Sequence, residues 1–150
     1  MGAAYFYHLT DSPLEQTLPM LLGKALEAGW QVEVRGTNHD RLRSLDLALW
    51  QGAPDAFLPH GLAGGDHDDL QPILLTERPV PGRSCVVSID GADVTSDEVQ
   101  SAERVMVIFD GLNGDAVQRA REQWKALTSA ECSAQYWAQE YGKWTKKAES

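Results

Sequence analysis

Three kinds of chemistry have to be looked for in this chain: phosphate binding, metal binding and nucleophilic or acid–base catalysis. Phosphate comes first. The turn Thr10-Asp11-Ser12-Pro13 follows the first apolar segment, where a dinucleotide fold would carry glycines. It has none, and it sets a carboxylate where phosphate would sit. Gly23-Lys24 ends like a Walker loop, but Ala25 follows the lysine and Leu18 holds the first glycine position, so the motif fails. The flexible run at 61–65 (GLAGG) leads into Asp66, His67, Asp68 and Asp69, which repel phosphate. Those four side chains could ligate a metal, but adjacent ligands on one loop rarely converge, and neither an EF-hand spacing nor HExxH is present. A solvated acidic loop is the reading adopted. His60, after Pro59, reads as a turn histidine bonding backbone. His8 and His39 stand alone, and there is no nucleophile elbow. The expectation is no cofactor, no metal, no catalytic residue and no enzyme.

A different chemistry, recognition of an anion, is offered by residues 117–127 (VQRAREQWKAL). Val117, Ala120, Trp124 and Leu127 recur at helical spacing and share a buried or half-buried face. Arg121 and Lys125 stand one turn apart on the next face, with Gln118 a turn earlier; Arg119 lies elsewhere on the circumference. Two cations beside an aromatic rim can dock a short acidic-hydrophobic peptide. Arginine would grip carboxylates through two parallel hydrogen bonds while an apolar pocket holds an anchor. The same pattern also fits a solvated helix face on which Glu122 partly neutralises the arginines. A second surface, Trp50 with Phe57, Leu58 and Pro59, either covers a sheet edge or forms an exposed patch for a protein partner.

The elements that must position these residues follow from periodicity. Residues 4–9 (AYFYHL) predict a first strand. Asp11-Ser12-Pro13 predicts a helix start, with a side-chain oxygen capping, and a helix to about Ala28 that Pro19 could kink. Residues 30–34 (WQVEV) alternate as a strand, and residues 38–50 form a second helix facing the core through Leu42, Leu45 and Leu49. Residues 51–68 read as loop. The apolar runs at 71–76, 85–89 and 105–109 read as buried strands, with a short helix at 96–102. Helices are predicted over 114–127 and 130–143, with the turn DGLNGD as cap and spacer for the former. This order gives an α/β class: a Rossmann-like three-layer fold with a mostly parallel sheet and no functional nucleotide-binding loop, in a single domain over residues 1–150.

Bulk properties narrow the partners. An apolar content of 43% and a charged content of 23% suit a globular domain. No apolar run spans a bilayer and no signal-like segment opens the chain, so a cytoplasmic protein without a membrane partner is expected. Met1-Gly2 starts like a myristoylation site, but Phe6 stands where Ser or Thr is required. Cys85 and Cys132 fit no paired motif and read as buried free thiols. The net charge of −9 opposes direct binding of nucleic acid. Residues 117–150 nevertheless carry six Lys/Arg against four Asp/Glu, which directs an acidic partner to the C-terminal helices.

On residues 47–64 (LALWQGAPDAFLPHGLAG), residues 120–125 (AREQWK) and the opening Tyr5-Phe6-Tyr7, the chain resembles the chi subunit of bacterial DNA polymerase III over essentially its whole length. The pattern LW…F-[LV]-P-H-x-L-A-G is the more specific part. The resemblance implies a Rossmann-like fold without a working nucleotide site, and a non-enzymatic accessory subunit of the clamp-loader complex. It implies two partners. One is the acidic C-terminal tail of single-stranded DNA-binding protein, which ends in Pro-Phe; the other is a psi subunit. Carried onto this sequence, Arg121 binds the tail carboxylates, Trp124 walls the Phe pocket and Lys125 is an adjacent cation. A family lysine falls on Val117, so that cation is missing here. Trp50, Phe57, Pro59 and Leu62 fall in the matched segment and are placed at the psi or alternative-partner surface. The competing reading is a nucleotide-dependent enzyme on the same fold, which would lack its phosphate loop.

Overall fold

The computed structural model describes residues 2–51, 60–64, 71–80, 82–141 and 143–150. Their elements follow one another as β1 (Ala3–Leu9), α1 (Leu14–Glu27), β2 (Val32–Arg35), α2 (His39–Trp50), β3 (His60–Leu62), β4 (Ile73–Thr76), β5 (Cys85–Ser88), α3 (Ser96–Ser101), β6 (Arg104–Asp110), α4 (Gly114–Ser129), β7 (Ser133–Glu140) and β8 (Lys143–Glu149). The strands form one sheet in the order β3-β4-β2-β5-β6-β1-β7-β8. Every pairing is parallel except β7 with β8.

Alternation along the strands builds a core on each face. Met106 and Ile108 of β6 join Leu18, Leu22, Leu42 and Leu45 from α1 and α2 on one side. Val105, Val107 and Phe109 join Phe6, Ala120 and Leu127 on the other, under α3 and α4. Helices on both faces of a mostly parallel sheet give the predicted α/β, Rossmann-like, three-layer fold. Both cysteines are free and buried, and burial pushes the Cys85 thiol up to about 12.

Three local expectations are corrected. Residues 130–143 are not a helix but the first arm and turn of the β7–β8 hairpin. Helix α4 instead stops at Ser129, and Glu131 turns the chain in the left-handed region at φ 64°. Helix α1 starts without a side-chain cap, because Pro13 is its N-cap and the Ser12 hydroxyl is engaged with Thr17 and Gln139. The predicted extent of α1, to about Ala28, is met by its end at Glu27, with Pro19 inside it. The stretch read as loop contains β3, so His60 is a strand residue. It is buried, and its Nε2 lies 3.1 Å from the Asp46 carbonyl oxygen, a backbone partner as expected.

Strand β2 alternates in sequence yet is buried on both faces, and this places charge in the interior. Glu33 and Arg35 point under α3. There Arg35 Nε meets Glu33 Oε2 at 2.6 Å and its guanidinium also bonds Glu98 and the Asp93 carbonyl. Glu33 Oε1 accepts in addition from the Val80 N–H at 3.0 Å. A buried ion pair needs such satisfaction of every lone pair to be tolerated.

Candidate functional site

Helix α4 presents the predicted basic face because its start is fixed. The Asn113 side chain accepts hydrogen bonds from the Asp115 and Ala116 N–H groups, and Asp115 sits in the first turn, where its charge suits the helix dipole. Ala120, Gln123 and Leu127 are buried beneath it, while Val117 and Trp124 pack half-buried against the second core. The next face carries Arg121 and Lys125, both exposed and neither in an ion pair among the described residues. Gln118 is exposed one turn earlier. The two cations lie on one exposed face beside Trp124.

The structure adds an aromatic cluster beside this face that the sequence did not disclose. Strand register sets Phe6 opposite Val107 and Tyr136, and His8 opposite Phe109 and Ala138. Trp124 meets the buried Phe6 ring edge-on at 5.3 Å and Tyr136 at 6.0 Å. Phe109 lies 5.9 Å from Tyr136, and His8 lies 5.1 Å from Phe109. Such tilted, edge-to-face spacings are those that favour aromatic packing. Arg121 borders this group closely enough that its charge acts on both His8 and Tyr136. His8 and Tyr136 are further linked by a hydrogen bond between Nδ1 and the phenol oxygen. Sequence reasoning missed both, since His8 had no neighbours in the chain and Tyr136 was placed on a helix. The alternation of Ala134, Tyr136 and Ala138 was the signal that could have found Tyr136.

Arg119 does not replace the cation absent at Val117. Its Nε donates to the Gly91 carbonyl at 3.3 Å, and its guanidinium pairs with Asp93 and, at 3.8 Å, with Glu122. The side chain is turned away from Trp124 toward the carboxyl ends of the strands.

At those ends, a cavity of about 790 Å³ opens between the starts of α1 and α4, the place where an open α/β sheet holds a nucleotide. Asp11, Glu15, Asp90, Asp110 and Asp115 line it, against Arg41 and Arg119. Arg41 is paired with Glu15 and Asp90. Five carboxylates against two engaged arginines oppose a phosphate chain, whatever the shape of the crevice.

The second predicted surface lies toward the opposite sheet edge, at α2 and β3. Trp50 is 55% exposed and stacks on the His60 ring at 4.2 Å; Leu47, also on α2, is 56% exposed. Leu62 is half-buried against the first core. Phe57 and Pro59 lie outside the described residues, as do the four metal-capable side chains at 66–69. Among the described residues no three His, Cys, Asp or Glu side chains are grouped to hold a metal ion, and no helix is long and apolar enough to cross a membrane.

No curated protein matches this chain. The family model described as DNA polymerase III chi subunit, HolC, matches residues 1–135, and with nine-tenths of its length so covered the chain belongs to the DNA polymerase III chi subunit family.

Proposed function

We propose that this chain, by its family an accessory protein of DNA replication that associates with the DNA polymerase III complex and not its catalytic subunit, acts there as an adaptor. Its α4 face binds the acidic C-terminal tail of single-stranded DNA-binding protein and so links the clamp-loader complex to coated DNA. The observation that carries this reading is the pairing of two exposed cations, Arg121 and Lys125, neither in an ion pair among the described residues, with the aromatic cluster of Trp124, Tyr136, Phe109 and His8. In an acidic protein, exposed cations beside an aromatic cluster suit a ligand with carboxylates and an aromatic anchor. The terminal Phe of the tail would lie against Trp124, and its carboxylates would meet Arg121. Val117 supplies apolar wall where the family lysine is absent, and Gln118 borders the same face. The Trp50–Leu47 surface, with Leu62 beneath it and Phe57 and Pro59 in the adjoining segment, is the place proposed for a psi subunit.

Calorimetric titration with a tail peptide tests the dock. Arg121→Ala is expected to weaken binding by roughly 1–3 kcal/mol, the scale of a charge-assisted hydrogen bond, and added salt should weaken it further. Equal heats and affinities for the native and Arg121→Ala proteins would sink the assignment.

A further inference from the structure

The dock as described has two permanent cations, yet a third ionisable group lies inside it. The His8 ring is wedged between Phe109, 5.1 Å away, and Tyr136, 5.9 Å away. Its Nε2 edge lies against Gly111, where the Cβ of any other residue would stand 2.0 Å from that nitrogen. The Nε2 edge thus faces the Gly111 backbone, while Nδ1 faces the Tyr136 hydroxyl at 2.5 Å. We assign the neutral ring its proton on Nε2, so that Nδ1 accepts from the Tyr136 O–H. The phenol hydrogen is then turned inward and cannot serve a ligand.

We propose that His8 is the third cation of this dock, its protonation promoted by a seated anionic ligand, and that its charging turns the Tyr136 hydroxyl outward as a hydrogen-bond donor to that ligand. This deepens the reading of the α4 face as a dock for an acidic tail and rests on it. The proton balance is simple. One proton from solvent goes to Nδ1, Nδ1–H then donates to the Tyr136 oxygen, and the phenol hydrogen so released rotates toward a ligand carboxylate. No covalent bond other than N–H forms, and nothing is oxidised.

The charges around the ring explain why the ligand is needed. Burial lowers the His8 pKa from its ordinary value, and Arg121 on α4 lowers it further. The Gly111 backbone hydrogen bond and Asp110 at the end of β6 oppose this without reversing it. Tyr136 on β7 is itself raised by burial, against the Arg121 charge, and so stays a neutral phenol. Without a ligand the ring is therefore held neutral beside Arg121. A carboxylate seated against Arg121 cancels the repulsion and adds an attraction, so the His8 pKa rises on binding. Linkage then fixes the sign: affinity for the peptide increases as pH falls through the bound-state pKa. It levels off below the free-state pKa, with a slope of at most about tenfold per pH unit for one proton. The device also offers a reason why a chain with valine at position 117 can still grip an acidic ligand.

Titration calorimetry of the full chain with a tail peptide, at fixed pH near 6.5 in buffers of different ionisation enthalpy, reads the proton directly. The native protein is expected to take up a fraction of one proton per peptide bound. His8→Gln, which keeps an acceptor for the phenol but cannot titrate, should bind without proton uptake and with affinity independent of pH above about 5.5, where the peptide carboxylates stay ionised. Ring resonances of His8, followed against pH by NMR, should show a midpoint that moves upward when peptide is present. Binding without proton uptake by the native protein, or uptake that persists in His8→Gln, overturns the role of His8 and leaves the dock standing. A peptide that fails to bind at any pH overturns the dock and His8's role together.

Discussion

At the scale of single residues, the account turns on which side chains are free to meet a ligand. Arg121 and Arg119 are two positions apart in sequence, yet Arg119 is tied to Gly91, Asp93 and Glu122 while Arg121 is in no ion pair among the described residues. Spacing alone separated them, since a helix turns neighbours two apart to different sides. The aromatic half of the site was less legible, because His8, Phe109 and Tyr136 meet only through the register of three strands distant in sequence. Gly111 is the residue on which their geometry depends. A Cβ there would stand 1.9 Å from His8 Cδ2 and 2.7 Å from the Leu9 carbonyl oxygen, which is backbone and cannot step aside. Gly111→Ala is accordingly expected to destabilise the fold by about 1–3 kcal/mol, the range for overpacking a filled site, measured by denaturant unfolding. An unchanged midpoint would show that the His8 wedge is looser than described.

At the scale of elements, the sequence disclosed most of what its punctuation marked. Asn113 announced the start of α4 through its capping oxygen, and the apolar runs announced β4, β5 and β6. The C-terminal hairpin went unseen because its turns lack the usual signals. Helix α4 ends at a left-handed Glu131 with no glycine, and the hairpin turns at a left-handed Tyr141, while Ala, Gln and Glu in between favour helix locally. Tertiary pairing of β7 with β1 overrides that preference. The burial of β2 was hidden for the opposite reason, since WQVEV reads as half-exposed until α3 covers its charged side. Arg35 is the tie between those two elements. Arg35→Ala would leave Glu33 buried without a counter-charge and is expected to cost about 3–5 kcal/mol. The same network responds to acid. Burial alone would raise the Glu98 pKa, but hydrogen bonds from Arg35 and Thr95 and the arginine's charge outweigh it and leave the carboxyl below its ordinary value. A depressed folded-state pKa means that stability is present above the unfolded value and is lost as pH falls through the folded one. Acid unfolding followed by circular dichroism should show this loss on the acid side of the ordinary carboxylate range, and Glu98→Gln should lessen it.

At the scale of the whole molecule, one sheet separates the two surfaces proposed for partners. Trp50 and Leu47 stand over the β3 edge, and the α4 dock stands over β1, β6 and β7 toward the other, so two partners can be held without competition for space. The family match ends at residue 135, between the Cys132 that follows α4 and the outer part of the hairpin. Tyr136, which completes the aromatic cluster, therefore lies just beyond it. The net charge of −9 opposes binding of nucleic acid over the surface at large, and the cations of α4 form a local exception. The most direct test of the adaptor account locates the ligand. Heteronuclear NMR of the labelled protein, titrated with an acidic peptide ending in Pro-Phe, should perturb first the Trp124 indole and the resonances of His8, Phe109, Arg121 and Tyr136. Absence of perturbation, or perturbation centred on Trp50 and His60 instead, would contradict it.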